Sequence, residues 1–188
     1  MADRMRLLEL CMKESAAAFG WGFSGTHMTF SKGNLSFLLL VYVGDDGLDF
    51  TLYYRYSAFD RVYNMLTSAN IYPGLMLTEG VEPVELWSLM GVSAAMRRLA
   101  KRSERFAYSL SEKLVTPEDN LDFLRYLAKK QYAPGQKPPN ITTELILTAL
   151  LKGDNYKASS IASGELLKGN TGDGLYAKVI DYARRYKR

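Results

Sequence analysis

Residues 35–56 read LSFLLLVYVGDDGLDFTLYYRY, and this stretch decides the fold. Its first part, residues 35–43, is almost wholly apolar, which is typical of a central strand with both faces covered. The sequence Gly44-Asp45-Asp46-Gly47 then predicts a tight turn, because Asp-Gly supplies the positive φ angles that a hairpin needs. Residues 48–56 alternate between apolar and polar side chains, as in a strand with one buried face. The stretch therefore predicts two antiparallel strands.

The segments around this hairpin predict an α+β fold. Residues 27–31 also alternate, so we expect them to complete a three-stranded antiparallel meander. Apolar side chains recur at helical spacing over residues 3–19, which predicts an N-terminal helix that Gly20 and Gly22 end. Residues 74–82 are interpreted as a connector, and helical patterns fill the rest of the chain. Strands followed by a mostly helical half indicate α+β rather than alternating α/β.

Helix start signals follow the meander. Ser57 predicts an N-cap for a helix over residues 58–69, with Asp60 completing a capping box. Pro83, at a first-turn position, predicts a short helix through Met90. Ser93 predicts the start of a long helix that reaches about residue 115.

Further start signals divide the C-terminal half. The sequence Thr116-Pro117-Glu118-Asp119 combines a cap, a proline at the first helical position and acids in the first turn. Beyond it, helices are predicted over residues 142–152, 155–167 and 174–186. Asp154 and Asp173 are the expected N-caps of the last two.

Four consecutive segments are predicted along the chain. Residues 1–75 form an α+β sheet region, and residues 76–132 form a helical region packed on it. Residues 133–140 contain three prolines and are interpreted as a linker, since adjacent prolines favour an extended chain. Residues 141–188 form a C-terminal helical region, and the whole is expected to be one compact unit.

Charge is distributed unevenly between the two halves. The 188 residues contain 24 basic and 20 acidic side chains, a net charge of +4. Residues 1–92 carry 6 basic and 10 acidic side chains, whereas residues 93–188 carry 18 and 10. This asymmetry predicts that the second half meets something acidic.

The most distinctive charged feature is a basic stretch in the predicted long helix. Like charges spaced four residues apart cost about 0.2–0.5 kcal/mol per pair in a helix, and an acidic partner would relieve this repulsion. Tyr53 and Arg55, on the outward face of a strand, are predicted anchors, since interfaces are enriched in Tyr and Arg. The predicted partner-binding residues of the helix are Arg97, Arg98, Lys101, Arg102 and Arg105.

Catalytic, cofactor and metal sites are not predicted. The only histidine, His27, lies in a predicted strand, and the only cysteine, Cys11, has no nearby histidine or pair of basic residues to lower its pKa and is expected to be buried in a helix. Residues 20–25 match G-x-G-x-x-G, but they follow a helix and precede a strand, the reverse of a dinucleotide-binding loop. The acidic clusters lack the spacing of a calcium loop. We therefore expect no enzyme activity, no cofactor and no bound metal.

No membrane span is predicted either. The longest apolar run covers residues 37–43, whereas a bilayer needs about 20 apolar residues. Glu9 and Glu14 interrupt the apolar pattern that a secretory signal would need near the N terminus. A cytoplasmic location is the expectation.

The order of predicted elements also resembles that of known proteins. An opening helix, a glycine turn, a meander ending in Leu48-Asp49-Phe50-Thr51-Leu52, a helix and a helical tail resemble small bacterial immunity proteins, which bind a polymorphic toxin and so protect the cell. The tail segment Leu150-Leu151-Lys152-Gly153-Asp154-Asn155-Tyr156-Lys157-Ala158 resembles one tetratricopeptide-like helical hairpin. The resemblance implies a binding role and assigns it to no particular residues.

Three functions follow as alternatives. The first is a non-enzymatic module that binds an acidic protein, and an immunity protein that neutralises a toxin is its sharper form. The second is a nucleic-acid-binding accessory protein whose basic helix contacts phosphates. The third is an enzyme whose site is assembled from dispersed carboxylates and tyrosines.

Overall fold

The structure is a computed structural model that describes residues 2–68, 74–129 and 141–186. The helices within these ranges are α1 (Ala2–Phe19), α2 (Ala58–Thr67), α3 (Leu89–Lys113), α4 (Pro117–Ala128), α5 (Ile141–Leu151), α6 (Asn155–Leu167) and α7 (Leu175–Arg185). The strands are β1 (Gly22–Ser24), β2 (His27–Lys32), β3 (Leu35–Val43), β4 (Gly47–Tyr56) and β5 (Leu75–Pro83). The predicted α+β class, with an N-terminal helix, an antiparallel sheet and a mostly helical C-terminal half, is confirmed.

The chain forms two compact units. One comprises Met1–Arg55 with Gly74–Lys113, and the other comprises Tyr56–Pro73 with Leu114–Arg188. These units are interleaved in the chain, whereas the four segments predicted from sequence are consecutive. The linker predicted at residues 133–140 lies outside the described residues.

The sheet has five strands in the order β1-β2-β3-β4-β5, so the prediction of three strands is wrong. The added strands lie at its two edges. Strand β1 is a three-residue strand paired antiparallel with β2, and β5 pairs antiparallel with β4 through matches such as Thr51 with Glu79. Gly22 in β1, and Gly80 with two acids in β5, made these segments look like loops, but pairing with a neighbouring strand overrides such local preferences.

Alternation in β4 is confirmed. Leu48, Phe50, Leu52 and Tyr54 are buried, whereas Asp49 on the opposite face is exposed. Strand β3 is central in the sheet as predicted, but its side chains from Leu35 to Val41 alternate between buried and half-buried, so one of its faces is only partly covered. The buried sheet face packs against α1 and α3, which also contact each other.

Helix α3 begins at Leu89, between the two helix starts that were predicted at Pro83 and Ser93. Pro83 ends β5, where it pairs with Gly47, so it begins no helix. The hydroxyl of Ser88 accepts a hydrogen bond from the Gly91 N–H at 3.2 Å, and its carbonyl accepts one from Val92 at 3.0 Å. Ser88 therefore caps a single helix that replaces the two predicted to begin at Pro83 and Ser93.

The other predicted caps have mixed outcomes. The cap at Thr116 is confirmed, and the structure adds a capping box, since the side chains of Thr116 and Asp119 each accept a hydrogen bond from the other's backbone N–H, at 3.1 and 2.8 Å. Asp154 also caps as predicted, accepting from the Lys157 N–H at 3.0 Å. Ser57 holds the N-cap position of α2 as predicted, but its side chain makes no capping hydrogen bond, so the predicted capping box is wrong. Asp173 is not the N-cap of α7, since Gly174 holds that position.

The second unit is helical and centres on α5. This helix is apolar around most of its circumference, and it contacts α2, α4 and α6. Such a helix must be surrounded, because no face of it favours water. Its buried Glu144 accepts a hydrogen bond from the Nδ2 of Asn120 on α4, at 3.2 Å. The pair therefore joins two helices inside this unit.

The α4 cap makes stability depend on pH. Hydrogen bonds from the Thr116 side chain and then its backbone lower the pKa of Asp119. A lowered folded-state pKa stabilises the fold above the unfolded value of about 3.9, and this contribution disappears as the pH falls through the folded-state pKa. We expect Thr116→Ala to lower the free energy of unfolding by about 1 kcal/mol at neutral pH. In urea denaturation, Asp119→Asn should reduce the acid-induced loss of stability, and a loss equal to that of the parent would contradict this.

Candidate functional site

The basic side chains of α3 fall into two rows with different surroundings. Arg98 and Arg102 lie beside Glu82 of strand β5. The Nε of Arg98 is 2.7 Å from the Oε1 of Glu82, and the Nη2 of Arg102 is 3.3 Å from its Oε2. Glu82 is only 6% exposed, so its carboxylate is held between two cations at the edge of the core.

Further contacts fix both of these arginines. The Nη2 of Arg98 donates to the carbonyl of Pro83 at 3.0 Å. The guanidinium of Arg102 lies 4.8 Å from the centroid of the Phe50 ring, within cation–π range. Arg98 and Arg102 thus connect α3 to β4 and β5 and are largely committed to internal contacts.

Arg97, Lys101 and Arg105 form the second row, which we call the basic row. All three side chains are exposed, and within residues 2–68, 74–129 and 141–186 none of them forms a hydrogen bond or an ion pair. They recur every four residues, so they lie along one side of the helix. The basic row is therefore a line of positive charge available to a partner.

An apolar cluster lies where β5 leads into α3. Leu86, Leu89 and Met90 are 67%, 50% and 84% exposed, and we call these three residues the apolar cluster. Scattered exposed apolar residues are ordinary, but three within five positions form a patch. Side chains of this kind are often found in the centre of protein interfaces.

The backbone that carries the apolar cluster is held by several contacts. Gly91 allows the Leu86 carbonyl to approach so closely that a Cβ at Gly91 would collide with it. The guanidinium of Arg4 lies 4.5 Å from the ring centroid of Trp87. The Sγ of Cys11 lies 3.9 Å from the Leu89 carbonyl, as a weak donor. The turn therefore has one defined conformation.

Tyr108 lies beyond the basic row on α3. It is 47% exposed, and the Nζ of Lys32 lies 3.4 Å from the centroid of its ring. The cation covers one face of the ring. Lys32 adds a further positive charge at this end of the helix.

Tyr53 and Arg55 do not join the basic row. Both side chains are half-buried in β4, and they lie on the face opposite Phe50, against which Arg102 packs. Successive strand residues point to opposite faces of a sheet, so the two predicted anchors and α3 lie on opposite sides. The structure therefore brings the five basic residues together on one helix and separates them from Tyr53 and Arg55.

The two residues weighed for catalysis, Cys11 and His27, lie on separate elements, α1 and β2. Cys11 is fully buried as predicted, and burial, followed by the charge of Glu14, raises the pKa of its thiol. His27 is half-buried at the start of β2 and pairs with Leu40. The described parts of the chain contain no group of three or more His, Cys, Asp or Glu side chains placed to hold a metal ion. None of the helices in those parts has the length and hydropathy needed to cross a bilayer.

A small cleft is found on the first unit. Its volume is about 180 Å³, and α1 forms most of its wall. The lining residues are Met5, Arg6, Leu8, Glu9, Met12, Gly25, Thr26 and Val41. The lining is mainly apolar, and its polar side chains are those of Arg6, Glu9 and Thr26.

Sequence reasoning missed Glu82 and the apolar cluster. Glu82 lay in a segment interpreted as a connector, so its inward position in a strand was not foreseen. The apolar cluster was interpreted as part of a short helix beginning at Pro83. The available signal was Ser88, a residue type that is common at the N-cap, where its side-chain oxygen accepts a hydrogen bond from the backbone N–H three residues later. Comparisons with protein-family models, curated proteins and solved structures find no match to the chain.

Proposed function

We propose that the chain is a non-enzymatic protein-binding module that recognises an acidic protein through α3. In its sharper form the proposal is an immunity protein that neutralises a bacterial toxin by direct binding. The observation that carries it is the basic row, in which Arg97, Lys101 and Arg105 are exposed and make no ion pair among the described residues.

The division of the arginines supports recognition rather than a merely solvated face. Two of the five basic side chains, those of Arg98 and Arg102, form ion pairs with Glu82. The fold therefore neutralises part of the positive charge of α3 internally. The basic row, along one side of the same helix, forms no such ion pair among the described residues. A row of unpaired surface charges attracts an oppositely charged partner and raises its association rate.

The surroundings favour a protein partner over nucleic acid. Proteins that bind single strands interleave aromatic side chains with basic ones so that bases can stack. On α3 the exposed rings are those of Phe106 and Tyr108, both of which follow Arg105 rather than lying between the basic residues, and Lys32 already contacts Tyr108. The apolar cluster at the other end suits a protein surface, whereas phosphates offer nothing to cover it.

The test is a charge reversal with a matched control. The variant Arg97→Glu/Lys101→Glu/Arg105→Glu alters the basic row, and Lys178→Glu/Arg184→Glu/Arg185→Glu makes the same change of net charge on exposed residues of α7. The binding probe is the toxin candidate encoded by the gene adjacent to that of this chain. We expect the α3 variant to associate at least about tenfold more slowly at low salt, with a smaller difference at high salt.

Growth of cells that express the toxin candidate provides the second readout. The parent and the α7 variant should protect the cells, and the α3 variant should not. Equal binding by all three chains would overturn the role of the basic row. Binding of mixed-sequence RNA or DNA more tightly than the acidic protein, with a steep salt dependence, would overturn the proposal in favour of phosphate recognition.

A further inference from the structure

We infer that the apolar cluster and the basic row form one continuous docking surface for an acidic amphipathic helix of the partner protein. This inference rests on the proposed function and specifies the chemistry of what binds there. Leu86, Leu89 and Met90 would contact apolar side chains of that helix. Arg97, Lys101 and Arg105 would meet its carboxylates.

Helix geometry aligns the two parts of this surface. Met90, Ala94, Arg97 and Lys101 are all exposed and follow the spacing i, i+4, i+7, i+11, which keeps them on one side of α3. Their backbone positions span about 16 Å at a rise of about 1.5 Å per residue. Ala94 separates the apolar end from the basic end without projecting a bulky side chain. With Arg105 included the span is about 22 Å, so a partner helix of four to five turns would cover the whole surface.

The apolar end is organised before anything binds. Ser88 caps α3, the Leu86 carbonyl packs against Gly91, and Arg4 covers Trp87. Ordering a mobile loop during association costs free energy, and a turn already held in place avoids most of that cost. Three exposed apolar side chains on a fixed turn are thus suited to bury against a partner.

Charge complementarity determines the kind of partner. Helix α3 carries six basic and two acidic residues, and the acids Glu104 and Glu112 lie toward its C-terminal half. A purely apolar helix would leave the basic row desolvated and unpaired, which is costly. A purely acidic segment would leave the apolar cluster in water. A helix with both apolar and acidic positions satisfies the two ends together.

The inference can be tested with synthetic helices as probes. The first probe is an 18-residue peptide, about 27 Å when helical, with leucines on one face and glutamates beside them. In the second, lysines replace the glutamates, and in the third, serines replace the leucines. Fluorescence anisotropy at low and high salt measures the affinity of the full chain for each. We expect the first to bind at least about tenfold more tightly than either of the others.

Variants then separate the two ends of the surface. Leu86→Ser/Met90→Ser should weaken binding of the first peptide at least about tenfold and leave its salt dependence unchanged. The control Tyr156→Ser/Leu167→Ser removes two side chains of similar exposure on α6 and should have no effect. The triple glutamate variant of the basic row should weaken binding and also flatten the salt dependence.

The outcomes distinguish this inference from the proposed function. If Leu86→Ser/Met90→Ser binds the first peptide as tightly as the parent while the basic-row variant does not, the inference is overturned and the proposed function stands. If the parent binds none of the acidic peptides, both are overturned. Unchanged circular dichroism spectra for the variants establish that these exposed substitutions act on binding and not on folding.

Discussion

Replacing Glu82 by alanine is expected to lower the free energy of unfolding by about 2 kcal/mol. The carboxylate is almost fully buried and forms ion pairs with the Nε of Arg98 and the Nη2 of Arg102. Hydrogen bonds to charged groups contribute about 1.5–3 kcal/mol each when buried, and a surface ion pair contributes at most about 1 kcal/mol. Both arginines are about half-exposed, so water can hydrate them in the variant. This hydration offsets part of the interaction energy that is lost with the carboxylate. Urea denaturation measures the change.

Two further substitutions make this expectation specific. Glu85→Ala removes an exposed acid three residues away and should change the free energy of unfolding by less than about 0.5 kcal/mol. Glu82→Gln keeps the size and the acceptor oxygen but removes the charge, so its effect should lie between those of the two alanine variants. If Glu82→Ala and Glu85→Ala have the same effect, the ion-pair cluster contributes nothing to stability.

Replacing Gly91 by alanine is expected to destabilise the protein by about 2 kcal/mol. A Cβ at this position would collide with the Leu86 carbonyl, which belongs to the backbone and cannot simply rotate away. Forcing an extra methyl group into a packed site costs about 1–3 kcal/mol, which outweighs the gain of up to about 1 kcal/mol from a better helix former. Thermal and urea denaturation both report the loss.

The same substitution elsewhere should have the opposite sign. Gly164 lies inside α6, and a Cβ there would meet no atom within 4 Å. Gly164→Ala should therefore stabilise the protein by about 0.5–1 kcal/mol, since alanine favours the helix. Destabilisation by both variants to a similar extent would show that the Leu86 contact does not govern Gly91.

These substitutions also bear on recognition. Gly91→Ala should displace the Leu86 turn and so weaken peptide binding without altering any side chain of the surface. Glu82→Ala releases Arg98 and Arg102, which would add positive charge beside the basic row and strengthen the attraction of acidic probes at low salt. Both variants should therefore be less stable than the parent, while their affinities for acidic probes should change in opposite directions.

The sheet shows which strands could be predicted from the sequence pattern and which could not. The strict alternation of β4 and the Asp-Gly turn before it predicted that hairpin correctly, because period and turn chemistry are local properties. Strand β5 was missed because its segment contains Gly80 and two acids and depends on pairing with β4. The caps at Thr116 and Asp154 were predictable for the same local reason, while Asp173 was not, because a 3-10 turn intervenes before α7.

The candidate surface divides in a similar way. The sequence by itself determined that α3 carries closely spaced basic residues, that the chain has one histidine and one cysteine, and that its class is α+β. Only the tertiary structure decided which cations remain available, because pairing depends on Glu82 arriving from another strand. It also decided that Leu86, Leu89 and Met90 are exposed, since burial depends on neighbours distant in the chain and no residue's own hydropathy specifies them.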